Sequence, residues 1–223
     1  MPESAIEVEA LQLFTPTPDR VRIHRNEVAV RVVYSDLLMP QSLVSRFESV
    51  SAETSLPLEY AFHLLGDLSG KTVVDLGAGD GRNAVLLALL GARVLAVDVT
   101  DGDLKLVSRR AAVNGVGERV VVVQRSTESI PVADASIDRV ICIETLQEAD
   151  CLRTSRQIRR ILKPGGIAAF TQVVPGSGWR RLLGRHSDSL TTSQCQAASR
   201  AVGRAGRSRR FGSMLVWEAL KER

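Results

Sequence analysis

The stretch TVVDLGAGDGRN, residues 72 to 83, restricts the fold more than any other part of the chain. An apolar run passes directly into glycines at 77, 79 and 81, and these lead into a helix-forming segment. Glycine tolerates positive φ and lets a ligand approach the backbone without meeting a Cβ. The three glycines therefore predict a tight strand-to-helix turn at the carboxyl end of a sheet, where the unpaired amides of a helix N-terminus face the same space. A ligand belongs there.

Further strand-like runs occur at ARVLAVDV, RVVVVQ, IDRVICIE and GIAAFTQVV. They are continuously apolar rather than alternating, which points to parallel strands covered on both faces by right-handed crossover helices. The first crossover, RNAVLLALLG, offers Val85, Leu86, Leu89 and Leu90 as an apolar face and Gly91 as its stop. The second runs from Asp101 to about Asn114 and Gly115. In LRTSRQIRRILKPGG, Leu152, Ile158 and Ile161 lie opposite Arg153, Arg156, Arg160 and Lys163, and Pro164 with Gly165 ends the helix. The expected fold class is α/β: a doubly wound, mostly parallel sheet with helices on both faces, shortened toward its C-terminal end. After residue 175 only a helix-like TTSQCQAASRAVG and one strand candidate, FGSMLVWEAL, are recognisable, and GRAGRSRR reads as a mobile loop. Residues 1–55, with the alternating VRIHRNEVAVRVV and the helical QSLVSRFESV, form an N-terminal appendage that could serve as lid, subunit contact or core extension. Residues 56–223 form the ligand-binding domain.

The 223 residues suffice for one core, and no apolar segment reaches the length of a membrane span. The acidic start MPESAIEVEALQLF lacks the features of a signal peptide, so a cytoplasmic location is expected. Cys142, Cys151 and Cys195 are few and unpatterned, which predicts reduced thiols. His24, His63 and His186 lie far apart, so no metal site is expected. Charge is divided unevenly. Residues 1–150 hold 14 Lys or Arg against 22 Asp or Glu, whereas residues 151–210 hold 13 against Asp188 alone. That basic third suits an anionic ligand, nucleic acid or acidic partner, and equally a solvated face.

Spacing then discriminates between ligands. The dinucleotide fingerprint is G-x-G-x-x-G, which admits a pyrophosphate to the helix terminus; here the glycines fall at 77, 79 and 81, and Asp75 ends the strand. A carboxylate repels a pyrophosphate and attracts an ammonium group. The pattern favours a cofactor with a positive amine and no phosphate, such as S-adenosylmethionine. Asp98 ends the second strand, placed to accept both hydroxyls of a ribose.

With these residues in place, the chain resembles the class I S-adenosylmethionine-dependent methyltransferases of small-molecule type, over roughly residues 55 to 174. VVDLGAGDG is similar to the family's first motif, and LKPGG to the motif before the fifth strand. The resemblance implies that Asp75 holds the cofactor's amino group, that Gly77, Ala78, Gly79 and Gly81 wrap its methionyl part, that Asp98 binds ribose and that Val99 packs on adenine. Ser126, followed by Thr127, stands where such enzymes usually carry an aspartate for the adenine amino group, so that contact is expected to be weaker. Where relatives often carry histidine, this chain reads Glu144, Thr145, Leu146, Gln147 and Glu148. Glu144 is expected at the methionyl group and Leu146 at the pocket wall.

The implied activity is methyl transfer from S-adenosylmethionine to an O, N, S or C nucleophile of a small molecule, releasing S-adenosylhomocysteine. Glu148 is the first candidate for a general base and His186 the second, with His24 as a further imidazole. His186 lies in the basic WRRLLGRHSDS, whose Arg180, Arg181 and Arg185 would suit an anionic acceptor. The alternatives are an RNA methyltransferase using the basic third and a noncatalytic cofactor-binding partner of the same fold. The scarcity of aromatic residues weighs against base stacking. A homodimer stays open through residues 21 to 34.

Overall fold

The computed structural model describes residues 37–48, 56–147, 151–174 and 190–222. Strands β1 (Thr72–Leu76), β2 (Arg93–Asp98), β3 (Val120–Gln124), β4 (Ile137–Ile143), β5 (Leu162–Val173), β6 (Arg204–Phe211) and β7 (Met214–Leu220) form one sheet in the order β3-β2-β1-β4-β5-β7-β6. Pairings among β1 to β5 are parallel, and β7 runs antiparallel to both β5 and β6. Chain order reverses between β1 and β4, which opens a crevice beyond the carboxyl ends of those strands.

The helices are α1 (Gln41–Glu48), α2 (Pro57–Leu65), α3 (Arg82–Leu89), α4 (Asp101–Val113), α5 (Cys151–Ile161) and α6 (Thr192–Val202). Helices α1 to α4 bury Phe47, Phe62, Leu87, Val107 and Ala111 against one face of the sheet. On the opposite face Ile158, Ile161, Cys195, Ala198 and Val202 of α5 and α6 pack over β4, β5 and β7, with Phe170 stacked on Trp217 at 5.1 Å between ring centres. The parallel strands are buried on both faces because side chains alternate between these two cores. Among the described residues, no helix is long and apolar enough to cross a membrane.

The sheet is not shortened. GRAGRSRR, read from sequence as a mobile loop, is most of β6, and a turn at Gly212–Ser213 divides the single expected strand into the end of β6 and all of β7. An edge strand exposed to solvent needs no apolar alternation, and charged side chains keep it from recruiting a foreign strand. Its arginines are held by tertiary partners. Arg207 grips buried Glu218 through its Nε and Nη2, and Arg209 lies over the rings of Phe211 at 4.9 Å and Tyr60 at 5.8 Å. Strand β5 also begins earlier than expected, running through Pro164–Gly166, where a register irregularity between Ile137 and Arg139 of β4 accommodates the extra residues. The alternating segment VRIHRNEVAVRVV lies outside the described residues.

Candidate cofactor site at the strand carboxyl ends

The glycine loop is built from its own amides. Gly77 and Ala78 both donate to Val97 O of β2, at 2.8 and 3.2 Å, and Gly81 donates to Ala78 O at 2.9 Å. Gly79 N donates to Asp98 Oδ2 at 3.0 Å, and Arg82 N to Asp80 Oδ1 at 3.2 Å. A pyrophosphate would need such N–H groups free; here they are committed within the protein.

The glycines are required for different reasons. A Cβ on Gly77 would stand 2.1 Å from Thr145 Oγ1, whose hydroxyl is shared between Leu76 O and Ile143 O. One on Gly81 would meet the Val107 Cα of α4 at 2.8 Å, and both glycines have positive φ. Close packing of α4 on the loop is reinforced by Arg110, whose buried guanidinium donates from Nε to Asp80 O at 2.9 Å and pairs with the Asp80 carboxylate. The same guanidinium reaches Leu37 O, and Asn114 holds the Leu37 carbonyl and the Met39 amide. Neither Arg110 nor Asn114 was expected as a site support. Arg110 interrupts an otherwise apolar face containing Val107 and Ala111, and that interruption is the signal the sequence offered.

Beside the loop lies a cavity of about 350 Å³, walled by Gly77, Asp98, Val99, Ser126, Thr127, Glu128, Glu144 and Thr145. Six of the residues expected at a cofactor (Gly77, Asp98, Val99, Ser126, Thr127 and Glu144) thus come together from the ends of β1, β2, β3 and β4. Asp98 receives Thr100 N on Oδ1 and Gly79 N on Oδ2, which fixes the carboxylate while leaving each oxygen a second lone pair. Val99 is 62% exposed, an apolar side chain presented to the cavity rather than to the core. Ser126 Oγ accepts the Glu128 amide at 3.3 Å. Thr127 turns its hydroxyl away to Thr154, 3.1 Å distant and buried. Glu128 and Thr145, which sequence reasoning had not assigned to a ligand, also line the wall, and Glu128 pairs with Arg153 at 3.5 Å.

Ala78, Gly79 and Gly81 shape the loop and are not among the wall residues; Leu146 is buried in the core beneath. Asp75 is wholly buried under the loop, and neither of its carboxyl oxygens has a hydrogen-bond partner. Burial, and then the neighbouring Asp98 charge, push it up to about 7, although the Ala84 N–H pulls the other way without reaching hydrogen-bond geometry. Glu148, His186 and His24 lie outside the described residues. Burial pushes the Cys142 thiol up to about 12 and Cys195 up to about 11, and the three cysteines form no disulfide. No cluster of three metal-ligating side chains occurs among the described residues.

Comparison with known proteins agrees with this geometry. A family model described as a methyltransferase domain matches residues 74–170, the interval from β1 to β5. Over that interval, less than half of its length, the chain is similar to methyltransferase domains. The chain resembles the methyltransferase GfsG of Streptomyces halstedii, 31% identical over 118 residues, covering 52% of this chain and 42% of that protein. It is likewise 31% identical over 130 residues to the ubiquinone biosynthesis O-methyltransferase of Bordetella pertussis, covering 57% and 53%. The chain therefore spans about half the length of these curated relatives. In fold it matches the geranyl diphosphate C-methyltransferase of Streptomyces coelicolor A3(2), solved with Mg2+, geranyl diphosphate and S-adenosyl-L-homocysteine. The TM-score is 0.63 at 16% identity, over 73% of this chain and 78% of that one.

Proposed function

We propose that the protein binds S-adenosylmethionine in the cavity between β1, β2 and β4 and transfers its methyl group to a small molecule. The observation that carries this reading is the charge of the site: Asp98, Glu128 and Glu144 in the wall, Asp75 orphaned beneath it, and no lysine or arginine among the wall residues. Such a site repels a dinucleotide pyrophosphate and suits a ligand with an ammonium and a sulfonium.

When bound, the cofactor supplies an electrophilic methyl group. The chain's own residues bind and orient it. The free lone pairs of Asp98 accept the ribose hydroxyls, exposed Val99 packs on adenine, and Ser126 with the Thr127 backbone faces the adenine edge. Asp75 gives up its proton to hold the amino group, relieving a carboxyl that burial disfavours. Gly77, Ala78, Gly79 and Gly81 keep the methionyl wall free of side chains. Glu148 is the proposed base for a hydroxyl or protonated amine acceptor; thiol and carboxylate acceptors need less help. Positioning the acceptor against the methyl supplies most of the rate, because it replaces a bimolecular encounter.

The curated relative of Bordetella pertussis is an O-methyltransferase and the structural neighbour acts on geranyl diphosphate, which supports a small organic acceptor without selecting one. The basic third offers a polyanion less than its charge suggests. Arg160 is spent on Ile130 O, Val132 O and Asp134, Arg207 on Glu218, and Arg210 on Val174 O.

Calorimetric titration with S-adenosylmethionine, S-adenosylhomocysteine and NAD tests the reading. Micromolar binding of the first two alone is expected, after which small acceptors are screened with RNA as the comparison. Tight NAD binding, or none of the three by folded, ligand-free protein, refutes it.

A further inference from the structure

The carboxylates at the cavity have their charges met in different ways. Asp98 receives two backbone amides, and Glu128 has Arg153 at 3.5 Å. Asp75 is sealed beneath the loop. Glu144 lines the wall, is exposed, and makes no ion pair or side-chain hydrogen bond with any described residue. It is the wall carboxylate whose charge the described residues leave uncompensated. Its backbone has φ of 56°, in the left-handed region, and donates its N–H to Thr171 O of β5 at 3.0 Å. The residue is therefore anchored at the tip of β4 although its side chain is open.

Strand order locates it relative to the ligand. From β3 to β4 the wall residues run Ser126 to Glu128, Asp98 and Val99, Gly77, then Glu144 and Thr145. Tips of β2 and β4 are two strand spacings apart, about 10 Å. With ribose on Asp98 and adenine toward β3, the sulfur is one methylene from the ribose on the side of β1 and β4. Glu144 faces that end.

We propose that Glu144 reads the charge on the cofactor's sulfur, favouring the cationic sulfonium of S-adenosylmethionine over the neutral thioether of S-adenosylhomocysteine. The inference rests on the cofactor reading above. Its consequence for turnover is direct. As the methyl carbon bonds to the acceptor, the C–S electron pair stays on sulfur, which passes from cation to neutral, and the acceptor's proton leaves to a base or to water. The attraction of Glu144 disappears in the same step, so the product is held less firmly than the reactant by the same residues.

Calorimetry at pH 8 and low ionic strength, with S-adenosylmethionine and S-adenosylhomocysteine as the two probes, tests this on the full chain without an acceptor. The two ligands share adenine, ribose, ammonium and carboxylate and differ in the methyl group and the charge on sulfur, so a change in their affinity ratio on Glu144→Gln isolates the charge. For Glu144→Gln, S-adenosylmethionine affinity is expected to fall roughly three- to tenfold, as for a charge pair in a partly hydrated site, and S-adenosylhomocysteine affinity to stay within about twofold. The penalty should shrink in about 0.5 M salt, and Glu144→Asp should retain most of the preference. Glu144→Gly removes the carboxylate while relieving the left-handed backbone, so it should show the same selectivity loss with no loss of fold. Equal weakening of both ligands would mean that Glu144 holds the shared ammonium, and unchanged affinities would mean that it touches neither; both results overturn the inference and leave the cofactor reading standing. Failure of the wild-type protein to bind either ligand overturns the cofactor reading and this inference with it.

Discussion

Replacing Asp75 with asparagine should make the ligand-free protein more stable, and increasingly so as pH rises. Asp75 is wholly buried with both oxygens unpartnered, and its carboxyl is pushed from the usual 3.8 up to about 7. The native state thus holds a proton that the unfolded chain has already released, and native stability is lost as pH climbs from about 4 through about 7. Roughly three pKa units at about 1.4 kcal/mol each give a ceiling near 4 kcal/mol, of which about 1 kcal/mol is already lost at pH 4.5. Asparagine has nothing to ionise. Urea denaturation of both proteins at pH 4.5, 6, 7 and 8.5 should therefore show a stability gap in favour of Asp75→Asn that widens by up to about 3 kcal/mol across the series. Saturating S-adenosylmethionine should close or reverse the gap, because its ammonium stabilises the ionised carboxylate only in the wild type. A gap that does not change with pH, or an Asp75→Asn protein less stable than wild type at pH 8.5, would refute the picture of a buried carboxyl waiting for a cation.

Three further perturbations probe the frame around the cavity. Asp98→Ala removes the acceptor of the Gly79 and Thr100 amides as well as the ribose contact, so calorimetry should show S-adenosylmethionine and S-adenosylhomocysteine weakened alike, by roughly 10- to 100-fold. Gly79 and Gly81 both have positive φ, yet an added Cβ meets nothing at the first and the Val107 backbone at the second. Chemical denaturation should thus cost Gly79→Ala about 1 kcal/mol and Gly81→Ala about 2 to 4 kcal/mol. Arg207→Ala strands buried Glu218 at the sheet edge; because the arginine itself is half exposed, a loss of about 1 to 2 kcal/mol by urea denaturation is expected, and Arg207→Lys should recover part of it.

The central strands and the glycine loop were legible because their signals are local. VVDL is apolar without alternation, and a glycine spacing that excludes pyrophosphate geometry sits one residue past it. Asp98 was legible as the polar end of an apolar run. Strand β6 was not, because nothing in GRAGRSRR favours extension by itself; its arginines are stabilised by Glu218 and Tyr60, which lie on other elements, as well as by Phe211 at its own end. Arg110 escaped notice for a related reason. A helical arginine normally faces water, and only the fold shows that this one is buried against Asp80. Thr127 and Glu128 exchange emphasis once the turn after β3 is seen: the threonine hydroxyl goes to Thr154, and the glutamate stands at the cavity wall. Spacing alone does not fix which way side chains leave a turn.

The clasp formed by Arg110 and Asn114 couples two parts of the chain that are far apart in sequence. One guanidinium touches both the glycine loop, through Asp80, and the Leu37 carbonyl, while Asn114 closes on Leu37 and Met39. One side chain thus serves two masters: whatever displaces Arg110 frees the Asp80 end of the glycine loop and the Leu37 carbonyl together, so the shape of the cavity wall and the seating of Leu37 and Met39 rise or fall as a pair.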